Sequence, residues 1–200
     1  MKLIIASNNA GKIREFKDIF EPFGFQVLSQ GEENINCEVE ETGTTFDQNA
    51  ILKARAVYDI SHSCVVSDDS GLEVEALNGE PGIYSARYMG EDTPYSIKNG
   101  NVIERLEGVP DEQRTARFVC AVAAAFPDRE TVVVRGIIEG RIGYEERGEH
   151  GFGYDPIFYL PERGCTSAEL PPEEKNSISH RGEALRLIRP ILEEWMAGRE

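Results

Sequence analysis

Apolar residues recur along this chain in two rhythms, one extended and one helical. Lys2-Leu3-Ile4-Ile5-Ala6 is a short apolar run, enough for one buried strand. Ile13, Phe16, Ile19, Phe20 and Phe23 then fall at helical spacing, which predicts a helix over 11–23 closed by Phe23-Gly24. Gln26 to Ser29 reads as a second strand and residues 31–43 as an acidic connection. Thr44 or Thr45 can cap a second helix running to about Ile60, with Phe46, Ala50, Ala54 and Val57 on one face. Cys64-Val65-Val66-Ser67 is the next buried strand, and the pattern ends it at Asp68-Asp69-Ser70-Gly71.

Residues 79–94, rich in Gly and Pro, read as loop, followed by a helix from about Tyr95 to Glu107. Thr115–Ala125 and Thr131–Glu139 are β-rich runs joined by Pro127-Asp128-Arg129-Glu130, the pattern of a hairpin. A short strand is expected at Pro156–Tyr159 among the glycines and aromatics of 140–165. A last helix is expected over Gly182–Met196, striped by Ala184, Leu187, Ile188, Ile191 and Trp195, with a bend or break at Pro190. Early βαβ units and a later hairpin predict a mixed α/β sheet. No repeat or compositional linker divides residues 1–200, so we expect one domain of two lobes with a cleft between them.

Charge narrows the function. The formal net charge of −15 argues against a general nucleic-acid binder, which needs a basic surface. It leaves room for a small phosphorylated substrate held by a few cations in one place. No apolar run approaches the ~18 residues of a membrane span, and the N-terminal run is too short for a signal peptide. A cytoplasmic protein is expected. Cys37, Cys64, Cys120 and Cys165 form no C-x-x-C motif, and Cys64 and Cys120 sit in apolar runs as small core residues.

Four segments carry candidate chemistry. Ser7-Asn8-Asn9-Ala10-Gly11-Lys12 joins the first strand to the first helix, where unpaired N–H groups and Lys12 suit a phosphate. It lacks Walker A spacing, and an ordinary capped strand–turn–helix is the alternative. Asp68-Asp69-Ser70-Gly71 offers two carboxylates, one able to face a metal while the other makes structural bonds. Turn chemistry explains it equally well. Gly151-Phe152-Gly153-Tyr154-Asp155-Pro156 puts an aromatic between glycines, fit either to stack on a flat base or to anchor a turn. Lys175, His180 and Arg181 are donors expected at the start of the last helix, where a ligand would offset unfavourable placement. Lys53, one turn after Asn49, can point to phosphate or to solvent; Arg87 can brace a loop near the carboxylates. His62 and His150 show no ligand spacing.

Ser7–Lys12, Glu40-Glu41-Thr42-Gly43, Phe46 with Asn49-Ala50 and Lys53-Ala54, Ser67–Leu72, Pro81–Tyr88, Gly151–Phe158 and Glu174–Gly182 together resemble the inosine triphosphate pyrophosphatases, also called dITP/XTP pyrophosphatases. The motifs follow in order from residue 3 to about residue 190. Asn8 stands where many members carry glycine. The resemblance implies a two-lobed mixed α/β fold around a long, twisted sheet flanked by helices, a homodimer, and Mg²⁺ dependence. It implies hydrolysis of ITP, dITP, XTP and dXTP to the monophosphate and pyrophosphate, with neither nucleic acid nor membrane as partner. By position it gives Ser7, Asn8, Asn9, Ala10, Gly11, Lys12 and Lys53 to the triphosphate. Asp69 becomes the catalytic carboxylate and a metal ligand, with Glu40 or its neighbour Glu41 as the second ligand. Ser70 touches substrate, and Phe152, Gly153, Tyr154, Asp155, Lys175, His180 and Arg181 form the base pocket. A pyrophosphatase for other modified nucleotides and a non-catalytic nucleotide sensor are the alternatives.

Overall fold

A computed structural model describes residues 2–198. Its seven-stranded sheet is mixed, ordered β2-β1-β3-β4-β5-β6-β7. The strands are β1 (Lys2–Ile5), β2 (Gln26–Ser29), β3 (Val65–Val74), β4 (Thr115–Ala125), β5 (Val132–Ile142), β6 (Phe158–Leu160) and β7 (Cys165–Thr166). The helices are α1 (Ala10–Phe20), α2 (Phe46–Ser61), α3 (Tyr95–Arg105), α4 (Pro172–Ile178) and α5 (His180–Ala197). The chain divides into two compact units, residues 1–69, 120–136 and 180–200 in the first, residues 70–119 and 137–179 in the second.

In the first unit β1 pairs in parallel with both β2 and β3. Parallel neighbours need crossover connections, and α1 and α2 supply them. Asn9 caps α1, its side chain accepting from the Lys12 amide at 3.0 Å, and Thr45 caps α2 through the Gln48 amide. Strand alternation sorts the core. Leu3, Ile5 and Val66 pack with Phe16, Phe20, Ala184, Leu185, Ile188 and Leu192 of α1 and α5. Ile4 and Val65 pack with Val57 of α2. Fully burying each large apolar side chain contributes about 1.5–3 kcal/mol, so both faces are strongly specified.

In the second unit Leu72, Val74, Val102, Leu106, Ile142, Ile157 and Phe158 form a separate core. Arg114 is buried within it, donating to the carbonyls of Leu106, Ile142 and Gly143 at 2.8–2.9 Å beneath the Tyr144 ring. β5, β6 and β7 pair antiparallel there.

Five expectations need correction. β3 does not stop at Asp68 but runs on to Val74, because both carboxylates find cations in the fold and Leu72 and Val74 continue the buried face. Lys175 does not open the last helix: it lies on a separate short helix, α4, and Ser179 breaks the run in extended conformation (ψ 156°). α5 continues through Pro190 without a break, held by its buried stripe. That stripe is Ala184, Leu185, Ile188 and Leu192, while Leu187 is exposed. The strand expected over 156–159 is shifted to 158–160, after a 3-10 turn at Asp155–Ile157.

Candidate active site

Adjacent positions on a strand face opposite ways, and at Asp68-Asp69 this makes two sites out of one dipeptide. Asp68 follows Val66 onto the face of α1 and α5. There Lys12 Nζ lies 3.1 Å from its Oδ2, and Arg181 Nη2 and Nε lie 2.9 and 3.2 Å from the same atom. Arg181, only 2% exposed, also donates from Nη1 to Glu15 on α1 at 2.5 Å. A buried guanidinium between two carboxylates is compensated rather than isolated. Burial pushes Asp68 upward, but Lys12, Arg181 and Lys53 outweigh it, so its carboxyl is held well below the usual carboxylate range. The Cys120 thiol, raised chiefly by burial and by Asp68, stays protonated beside it.

Asp69 faces α2. Lys53 Nζ donates to its Oδ1 at 2.8 Å and to Glu41 Oε1 at 2.7 Å. Asn49 Nδ2 donates to Oδ2 at 3.3 Å, and Asn49 Oδ1 in turn accepts from the Gly43 amide at 2.8 Å. Ser67, on the same face, ties the strand to the Ala50 carbonyl of α2. Burial raises the Asp69 pKa above its ordinary value and Lys53 only partly offsets this. Burial works against the Lys53 ammonium, yet Asp69, Asp68 and Glu41 outweigh it and keep it charged.

A metal can be tested against this geometry. Glu41 and Asp69 already share one cation, the Lys53 ammonium. Among the described residues no three His, Cys, Asp or Glu side chains group tightly enough to hold an ion alone. Hard oxygen donors in so small a number fit Mg²⁺, which completes its shell with water and substrate phosphate.

The second unit holds another built site. Asp155 is buried, its Oδ2 accepting from the Phe152 amide at 2.8 Å and from Lys175 Nζ at 2.7 Å, its Oδ1 from Ser167 Oγ at 2.9 Å. Lys175 Nζ also lies 5.1 Å from the Phe152 ring centre. A Cβ at Gly151 (φ 73°) would lie 2.2 Å from Asp155 Oδ2, so only glycine permits this turn. Tyr154 is buried and donates to the Ser85 carbonyl at 2.9 Å.

The structure thus brings Lys12, Lys53, Asp69 and Arg181 into the first unit's charged cluster, and Phe152, Asp155 and Lys175 into the second unit's turn. Ser7 caps the Asn9 amide at 3.1 Å, while Asn8, Asn9 and Ala10 are exposed and Gly11 half-buried at the start of α1. His180 is buried at the first position of α5, whose close approach to β5 requires Gly136: a Cβ there would lie 2.1 Å from the His180 carbonyl. Ser70 is half-buried, next on β3. Glu40 is exposed, and Glu41 is the residue joined to Lys53. Arg87 packs on the Tyr84 ring. The sequence reading missed Glu15 and gave Asn49, which it named among the motifs, no role. Glu15 carried a signal, a charge beside Phe16 on the apolar stripe of α1, and Asn49 stood one turn before Lys53.

The parallel β2-β1-β3 edge with its crossover helices α1 and α2, continued by the antiparallel strands β5 to β7, defines a mixed α/β protein. The sequence model of the Ham1 family matches residues 3–191, and the chain belongs to that family. It is 50% identical over 190 residues to the dITP/XTP pyrophosphatase of Bacillus subtilis, covering 95% of this chain and 96% of that one. Its fold matches the Ham1 protein of Staphylococcus aureus with a TM-score of 0.86 at 46% identity, over 97% of this chain and 99% of that one. The nucleoside-triphosphatase / dITP/XTP pyrophosphatase of Mycobacterium abscessus matches with a TM-score of 0.74 at 41% identity, over 95% of this chain and all (100%) of that one.

Proposed function

We propose that this Ham1-family chain hydrolyses deaminated purine nucleoside triphosphates, ITP, dITP, XTP and dXTP, to the monophosphate and pyrophosphate with Mg²⁺. Kinship with relatives that bear this activity in their names makes the chain a nucleoside-triphosphate pyrophosphatase. The observation that carries the finer reading is Asp69, a buried carboxylate of raised pKa that shares a cation with Glu41.

Ser7, Asn8, Asn9, Ala10, Gly11 and Lys12 present the start of α1 and one ammonium to the phosphates. Asp69 and Glu41 would hold Mg²⁺, Glu41 being the one of the Glu40-Glu41 pair that reaches Lys53. When bound, the ion neutralises charge on the phosphates and lowers the pKa of water. Asp69 orients the attacking water toward the α-phosphorus and accepts its proton. Lys12 and Lys53 neutralise charge as pyrophosphate leaves. Ser70 contacts substrate. Phe152 stacks on the base, with Gly153, Tyr154 and Asp155 shaping its platform. Lys175, His180 and Arg181 donate toward a 6-keto oxygen and disfavour the amine of ATP. Arg181 also anchors Asp68, so selectivity is tested on His180, whose replacement leaves that ion pair intact. We further propose a homodimer, which light scattering would establish.

Pyrophosphate release is measured from ITP, XTP, ATP and GTP with Mg²⁺ and with chelator. Release from ITP and XTP that requires Mg²⁺ is expected. Equal release from ATP, or release that survives chelation, overturns the respective part of the reading.

A further inference from the structure

Helix α3 takes no part in the chemistry above, yet it carries two polar side chains buried to about the 1% level, Lys98 and Asn99. Asn99 Nδ2 donates to the Gly153 carbonyl at 3.2 Å and to Glu146 Oε1 at 2.6 Å. Two acceptors on one side fix the amide orientation, since the reverse placement would set oxygen against oxygen. Asn99 Oδ1, buried, has no hydrogen-bond partner among the described residues. Leaving a buried acceptor unmet weakens the fold, so stability alone does not account for an asparagine here. The rest of α3 braces the same region. Tyr95 meets the Tyr154 ring edge-on at 5.3 Å, and Lys98 Nζ donates to the Ala86 carbonyl at 2.5 Å, next to the Ser85 carbonyl that receives Tyr154.

We propose that Asn99 is a positioning residue for base selection: by holding the Gly153 carbonyl it fixes the Phe152–Asp155 turn at the height the base requires. The inference rests on reading that turn as the base platform. Gly153 has no side chain and a left-handed backbone (φ 69°), so its carbonyl is the handle by which neighbours hold it. The Asn99 amide donates to Glu146 and Gly153, neither of which we assign to the phosphates or to the metal, so its loss should act on the base alone.

The test measures kcat and KM for ITP and ATP, inhibition by inorganic tripolyphosphate, and melting temperature. Wild type is compared with Asn99→Ala, Asn99→Ser and the double variant Asn99→Asp with Glu146→Gln. In the double variant the carboxamide introduced at 146 can donate to the carboxylate introduced at 99, restoring that contact. No donor then reaches Gly153. Loss of the bond should raise KM for ITP about tenfold with kcat nearly unchanged, and shrink the ITP-over-ATP preference. Tripolyphosphate, which has no base, should inhibit all variants alike. In the double variant a carboxylate oxygen faces the Gly153 carbonyl in place of the donor, so the raised KM should persist. Unchanged KM and preference in the single variants overturn the inference, as does a folded double variant with the KM of wild type. If Asn99→Ala does not fold, Asn99→Ser and the double variant decide. Wild type that fails to prefer ITP over ATP overturns the base-platform reading itself, and this inference with it. Wild type that prefers ITP beside unaltered variants overturns this inference alone.

Discussion

Asp68→Asn is the substitution on which the structure speaks most directly. Asp68 is 2% exposed, and its Oδ2 lies 3.1 Å from Lys12 Nζ and accepts from Arg181 at 2.9 and 3.2 Å. At about 3 Å and an effective dielectric near 20, each pair is worth roughly 5 kcal/mol before desolvation. The amide keeps the shape but leaves Lys12 and Arg181 facing each other without their anion. Breaking a buried pair in this way costs about 3–5 kcal/mol, and the lower end applies because Arg181 keeps Glu15. The pH dependence has a definite sign. A carboxyl whose folded pKa is depressed contributes stability that is complete above its unfolded value, near 3.8, and is lost as pH falls toward the folded value. Urea unfolding followed by the fluorescence of Trp195, the single tryptophan and a first-unit residue, reads this out. Asp68→Asn should be about 3 kcal/mol less stable than wild type at pH 7, with the gap closing below about pH 4. A gap under about 1 kcal/mol at pH 7, the scale of an exposed pair, would refute the reasoning, as would a gap that ignores pH.

Asp69→Asn should lower kcat by about 10²–10⁴ while the protein stays folded, and near-normal turnover would remove Asp69 from the mechanism. Arg114→Leu leaves the carbonyls of Leu106, Ile142 and Gly143 without their donor, costing about 3 kcal/mol and about 6–12 °C in Tm by calorimetry. Gly151→Ala forces a Cβ onto Asp155 Oδ2, so KM for ITP should rise more than tripolyphosphate inhibition changes.

Much of this protein was legible along the chain. The strand–helix order, the Thr45 cap, the burial of Cys64 and Cys120 and the helical stripe of α2 follow from local periodicity and capping chemistry, which need only near neighbours. The motifs that mark the family are likewise contiguous. What the chain could not say is whom each charged side chain meets. Asp-Asp-Ser-Gly has good turn chemistry, yet β3 runs through it because Arg181, 113 residues away, and Lys12 meet Asp68, while Lys53 meets Asp69. Lys175 and Arg181 are neighbours in sequence but belong to different helices and different carboxylates, Asp155 and Asp68. Glu41 rather than Glu40 joins Lys53, and Glu15 enters only as the second partner of Arg181. Ion pairs between distant segments cost desolvation and are recovered only at short range, so three-dimensional packing alone decides them.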